Sequence, residues 1–244
     1  MIKQRVKITM SDNSCIAIIP ARGGSKGIMG KNICLVAGKP LINWTIEQAQ
    51  RSACFGKIIV TTDDNTIATI AHNAGSEVPF LRPEELAQDD TPDYPVYEHT
   101  IKWLSENQNY QPELVVWLRP TSPLRTSEDI ISAIRLIKDT NADCVRSVCL
   151  VEHHPYWMKK IKDKQLLPFL DNLDEQKYYR RQLLPPVYRL NGAVDVVRNE
   201  SVRNSGKLFH GNIVGYIMPN ERSIDIDNEI DLMIAEELLI RRLK

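Results

Sequence analysis

Short apolar runs at residues 15–20, 57–62, 114–118 and 143–148 alternate with segments of helical period, and nothing else in the chain narrows its fold so far. Such runs read as buried strands, and strands that alternate with helices build parallel sheets. The pattern predicts an α/β fold with a mostly parallel, doubly wound sheet. Strand-like segments at 193–197 and 214–219 bring the chain back to that body near its end. Pro40 is expected to open a helix over residues 40–52, because the first turn tolerates a missing N–H. Thr126 or Ser127 can cap another that begins near Glu128 and sets Ile130, Ile131, Ile134 and Ile137 on one face. A last helix from about Asn228 carries Ile230, Met233, Ile234 and Leu238 in a similar stripe, and both stripes are expected to face the core.

A chain of 244 residues with 43% hydrophobic content can bury one substantial core. No repeat, low-complexity stretch or linker divides it, so residues 1–244 read as a single domain. Residues 151–190 break the rhythm with aromatics, charges and prolines, and are expected to project from the sheet. Their segment YWMKKIKDK (156–164) has acidic neighbours, which suits a solvated face or a subunit contact better than a nucleic-acid surface.

Thirty-one basic and thirty-one acidic residues cancel, which argues against a polyanion scaffold. The apolar runs are too short to span a bilayer, and MIKQRVKITMSDNS lacks the character of a secretory signal. The expectation is a cytoplasmic protein with no membrane insertion. Five cysteines without a CxxC pair argue against a disulfide framework or a zinc site, and adjacent His153 and His154 share no face.

The strongest local signal is IIPARGGSKGIMGKN, residues 18–32, where the first strand runs into a glycine-bearing loop. Gly23, Gly24 and Gly27 permit backbone angles and close approaches that a Cβ would obstruct, so N–H groups can turn toward phosphate oxygens. Arg22, Lys26 and Lys31 add positive charge, which a triphosphate needs as pyrophosphate leaves. The loop is neither GxGxxG nor GxxxxGK[ST], which weakens dehydrogenase and P-loop kinase readings and leaves a solvated basic loop as the alternative. Ligands of open parallel sheets bind beyond the carboxyl ends of the strands, where this loop lies.

Near the other end, SIDID sets Asp225 and Asp227 two residues apart, so an extended backbone points both carboxylates to one side. Two such oxygen ligands suit Mg²⁺, which also takes waters and substrate phosphates. The competing reading makes Asp227 a helix cap and leaves Asp225 merely exposed. Asp89, Asp90 and Asp93 in QDDTPDYP read more simply as a polar loop or helix start than as a metal cluster.

IPARGGSKGIMGKN, AGKPLI (37–42), RPEELAQD (82–89), RPTSPLRT (119–126), RQLLPPVYRLNGA (181–193) and SIDID (223–227) together resemble, in order, the acylneuraminate cytidylyltransferases, or CMP-sialic acid synthetases. The resemblance implies a Rossmann-like nucleotidyltransferase fold, CTP as donor and a nine-carbon sugar acid as acceptor. It also implies Mg²⁺, or Mn²⁺ in its place, and a homodimer formed through residues 151–190.

By the same resemblance Arg22, Gly23, Gly24, Ser25, Lys26, Lys31, Asn32 and Arg82 fall at nucleotide positions, and Asp225 and Asp227 at the metal pair. Arg181, Arg189, Asn191 and Phe209 fall on the sugar-acid side, and Arg22, Lys31 and Asp227 are the expected catalytic residues. Arg119 stands where sialic-acid enzymes often have Gln, and Asp195 where they have Tyr. These two departures point to acceptor choice, toward legionaminic or pseudaminic acid, or to a mutual ion pair in the wall. A cytidylyltransferase for the eight-carbon acid Kdo and a non-catalytic nucleotide-binding regulator are the alternatives.

Overall fold

The computed structural model describes residues 14–25, 27–171 and 176–243. Lys26 and most of the N-terminal stretch read above lie outside the described residues. From the start, β1 (Cys15–Pro20), β2 (Leu35–Val36), β3 (Lys39–Pro40), α1 (Leu41–Ser52), β4 (Lys57–Thr61), α2 (Asn65–Asn73) and α3 (Asp93–Gln108) follow one another. Next come β5 (Leu114–Trp117), α4 (Ser127–Asp139), β6 (Cys144–Leu150) and a hairpin of β7 (Lys159–Lys162) and β8 (Gln165–Pro168). The chain ends with β9 (Tyr188–Arg198), α5 (Asn199–Ser205), β10 (Ile213–Ile217) and α6 (Glu229–Leu243).

The main sheet has six strands in the order β10-β6-β9-β5-β1-β4. β4, β1 and β5 are mutually parallel, β6 and β10 share their direction, and β9 runs antiparallel between β5 and β6. Strand-by-strand alternation assigns the faces. Cys15, Ala17 and Ile19 of β1 pack with Ile42 and Ile46 of α1, Ile67 of α2 and Ile130, Ile134 and Ile137 of α4. Ile16 and Ile18 point the other way, with Trp117 of β5, Val96 and Leu104 of α3 and Val202 of α5. Full burial of a side chain such as Ile18 contributes about 1.5–3 kcal/mol, so the two-sided sheet is the main store of stability.

The helix starts refine the sequence reading. Pro40 sits at the N-cap of α1 rather than inside its first turn. Thr126, not Ser127, caps α4, in a reciprocal capping box with Asp129. Asp129 is fully buried and also accepts from Arg222 at 2.9 Å and Tyr216 at 3.1 Å, which ties the start of α4 to the segment that leads into SIDID.

The stripe expected of the last helix is corrected. Ile230 and Met233 are 69% and 70% exposed, Leu238 of the expected stripe does pack on the cluster of Val36, Leu41, Trp44 and Ile226, and the residues that α6 buries there are Ala235 and Leu239. Periodicity establishes that a helix has faces, but α6 docks on β2 and its surroundings rather than on the main sheet, so a different face is covered.

Residues 151–190 contain the β7–β8 hairpin, which forms a two-stranded sheet of its own. Ile161, Leu166 and Phe169 are exposed there. All five cysteines are free, and His154 is held within its own segment, by Pro185 and the Tyr156 N–H. Among the described residues, no helix is long and apolar enough to cross a membrane.

Candidate active site

β1 ends at Pro20, and its loop closes onto the segment after β4. The Ala21 N–H donates to the Thr61 carbonyl at 3.0 Å and the Gly23 N–H to the Asp63 carboxylate at 2.9 Å. The buried side-chain amide of Asn32 donates to the Arg22 carbonyl at 2.9 Å, so Asn32 shapes the loop from within. The expectation of special backbone angles at Gly23, Gly24 and Gly27 is corrected, since none has a positive φ and Gly30 takes that role at 61°. Close approach is what the loop requires. A Cβ at Gly23 would meet Asp64 at 2.9 Å, and one at Gly27 would run into the Asp227 carbonyl, whereas Gly24 faces no atom within 4 Å.

A cleft of about 380 Å³ opens here, lined by Arg22, Ser25, Lys31, Asp89, Arg119 and Asp227 among others. Arg22 pairs with Asp89 at 2.5 Å, and Lys31 donates to the Ile226 carbonyl at 2.7 Å and to Asp227 at 3.3 Å. Both cations therefore face carboxylates from other parts of the chain. Arg82 is buried, with its donors on Thr61 and on the Leu86 carbonyl, and burial pulls its guanidinium down to about 10. It remains charged at neutral pH and braces the loop after β4 as well as lining the cleft.

Asn228, not Asp227, caps α6, accepting from the N–H groups of Ile230 and Asp231 at 2.9 and 3.1 Å. The Asp227 side chain is 77% exposed and turned to the cleft. Ile226 between the two aspartates is buried in the α6 cluster, with its N–H on the Thr121 carbonyl at 2.9 Å. Burial pushes the Asp225 carboxyl above its ordinary value, the Asp227 charge adds to this, and Thr121, Arg119 and Lys31 oppose it. Among the described residues, its Oδ1 is buried without a hydrogen-bond partner. An orphaned carboxylate oxygen beside a second carboxylate fits a hard divalent cation such as Mg²⁺. Among the described residues, no group of three or more His, Cys, Asp or Glu side chains could hold a metal, so further ligands would come from substrate and water.

Arg119 and Asp195 pair with each other at 2.9 Å. Arg119 also holds Asp93, and Asp195 takes a second guanidinium, Arg146, at 3.2 Å. Arg146 lies 3.7 Å over the Phe209 ring. Against burial, Asp93 and Asp195 hold the Arg119 guanidinium above its ordinary value. Asp195 is 1% exposed behind Arg119, and buried Asn191 donates to the Ser223 hydroxyl at 2.8 Å, anchoring the aspartate segment. Arg189 donates to the Ser223 carbonyl at 3.2 Å, and Arg181 stands exposed on a 3-10 turn outside the cleft lining.

Sequence reasoning missed four contributors. Asp89 and Asp93 line the cleft as arginine partners, although the helix start expected there is real, at Asp93. Arg146 had no local signal. Arg125, in the quoted RPTSPLRT block, is buried and clamps the carbonyls of Ala193 and Arg119 and the Thr45 hydroxyl.

The sequence and the fold have counterparts in known proteins. The N-acylneuraminate cytidylyltransferase of Escherichia coli is 36% identical over 221 residues, 90% of this chain and 51% of its own length. The CMP-N,N'-diacetyllegionaminic acid synthase of Legionella pneumophila is 36% identical over 228 residues, 92% of this chain and 95% of its own length. The chain thus spans about half of the first relative and nearly all of the second. A solved CMP:2-keto-3-deoxy-manno-octonic acid synthetase in complex with CTP superposes with a TM-score of 0.69, covering 94% of this chain and all of that one, at 15% identity, a likeness of fold. The cytidylyltransferase family model matches residues 16–232, which include both the phosphate-facing loop and the aspartate pair, and the chain belongs to that family.

Proposed function

We propose that this protein transfers the CMP part of CTP to a sialic-acid-like nine-carbon sugar acid and releases pyrophosphate. The observation that carries this reading is the meeting of Arg22, Lys31 and Asp227 in one cleft beyond the end of β1. The anomeric hydroxyl of the sugar acid bonds to the α-phosphorus and gives up its proton to water, as the bond from that phosphorus to the β-phosphate oxygen breaks, with no covalent enzyme intermediate. Arg22 and Lys31 oppose the charge that gathers on the leaving pyrophosphate. Asp225 and Asp227 would hold Mg²⁺, or Mn²⁺ in its place, which when bound supplies positive charge to the phosphates. Asn191 and Arg189 keep the aspartate segment in place through Ser223.

The acceptor side is the wall built on Arg119, whose pairing with Asp195 sets it apart from the sialic-acid pattern. We favour a legionaminate- or pseudaminate-type acid on that ground. A Kdo acceptor is supported by fold likeness alone. Such a reaction belongs in the cytoplasm, beside the CTP pool. Incubation with CTP, Mg²⁺ and N-acetylneuraminate, legionaminate, pseudaminate or Kdo, with pyrophosphate measured, tests the reading. Release with a nine-carbon acid is expected; release with Kdo alone, or with none, overturns it.

The exposed Trp157, Ile161, Leu166 and Phe169 support a homodimer through the hairpin, since a monomer would leave them wet. Light scattering should give twice the chain mass. A monomer over a broad concentration range defeats this assembly.

A further inference from the structure

Among the described residues, two loop cations line the cleft, Arg22 and Lys31, and they carry counter-ions of different kinds. The partner of Lys31, Asp227, belongs to the aspartate pair, so a cation that arrives with the triphosphate can take over its charge. The partner of Arg22, Asp89, lies outside that pair, in a turn between α2 and α3. Arg22 and Asp89 meet at 2.5 Å with side chains 30% and 39% exposed, and both line the cleft. Among the described residues, the other anchor of the Arg22 guanidinium is weak, a 3.5 Å contact to the Ala87 carbonyl. A phosphate oxygen that approaches Arg22 therefore meets a guanidinium already occupied by an anion of the protein.

Resting on the cytidylyltransferase reading above, we infer that Asp89 is a built-in competitor for the triphosphate at Arg22. Its carboxylate holds Arg22 at the cleft and must yield when phosphate binds. The same competition acts on pyrophosphate after transfer, because the product retains the charged end of the substrate. Asp89 thus weakens CTP and pyrophosphate alike and helps the product leave. It touches no reacting atom, so its role is that of a positioning residue. The opposite role is equally concrete: if Asp89 only aims Arg22 at the phosphates, its removal weakens nucleotide binding.

Calorimetric titration of CTP and of inorganic pyrophosphate into the wild type, Asp89→Asn, Asp90→Asn, Arg22→Ala and the Arg22→Ala/Asp89→Asn double variant separates these. Asp90 is the exposed neighbour of Asp89 and controls for general loss of negative charge. Asp89→Asn should tighten both ligands by about two- to fivefold, the range set by a half-exposed ion pair. Asp90→Asn should change them less, and the gain should vanish when Arg22 is alanine. Wild-type binding of CTP that Asp89→Asn leaves unchanged or weakens, or a gain that survives without Arg22, overturns the inference alone. No binding of CTP by the wild type overturns the reading of the cleft and this inference with it.

Discussion

Arg22 meets Asp89 at 2.5 Å and Arg119 meets Asp195 at 2.9 Å, both at the same cleft, but the two carboxylates are 39% and 1% exposed. On the phosphate side the counter-ion is wet and can be exchanged for a ligand. On the opposite wall it is dry and shared with Arg146, so the pair is architecture. A wet pair contributes little to stability because water and salt compete for it. A dry one leaves an uncompensated buried charge when either partner is lost. Similar contact distances therefore carry opposite consequences, and burial decides which applies.

The largest effect should come from breaking the dry pair. Asp195→Ala should cost about 3–5 kcal/mol of unfolding free energy in urea, because Arg119 and Arg146 both lose the buried carboxylate they share, although Arg119 keeps Asp93. Asp89→Ala should stay within about 1 kcal/mol of the wild type. Equal losses in the two variants would erase the distinction.

Next in size is catalysis on the wet side. Arg22→Ala should lower turnover by roughly a hundredfold, the scale of a lost charge-stabilising contact, while the melting temperature stays near that of the wild type. Unchanged turnover at saturating CTP would remove Arg22 from the mechanism.

The smallest effect sharpens the comparison from within the wall. Arg119→Gln and Asp195→Tyr restore the residues common in sialic-acid enzymes, and each alone should destabilise. The double variant should lose less than the sum of the singles, with a coupling of about 1–3 kcal/mol for a contacting pair. Acceptor ranking measured in the same variants asks whether the wall also selects the sugar. Additive stability losses with an unchanged ranking would leave Arg119 and Asp195 neither coupled nor selective.

The legible parts of this protein were those whose meaning lies within a few residues. The glycine-bearing loop that borders the cleft stood out because its glycines and cations sit together, and the aspartate pair because Asp225 and Asp227 are two apart. Even there, the reason for Gly27 was hidden, since the atom that leaves no room for its Cβ is the carbonyl of Asp227. The buried part played by Asn191 was equally hidden, because Ser223, which it holds, lies 32 positions away. Arg125 shows the same limit, for the partners it clamps include Thr45 and Ala193, 80 and 68 positions distant.

Apolar period by itself determined that the chain builds a sheet with helices on both faces, because side-chain direction repeats every two residues in a strand and about every 3.6 in a helix. Local spacing determined where phosphate and metal chemistry would be sought. Tertiary structure alone decided that β9 runs antiparallel through the sheet, that α6 leaves Ile230 and Met233 exposed, and that Arg119 closes on Asp195 while Arg22 closes on Asp89. The physical reason is that strand direction, burial and counter-ion identity depend on neighbours supplied by distant segments. The strength of a charge likewise depends on how much water those segments leave around it.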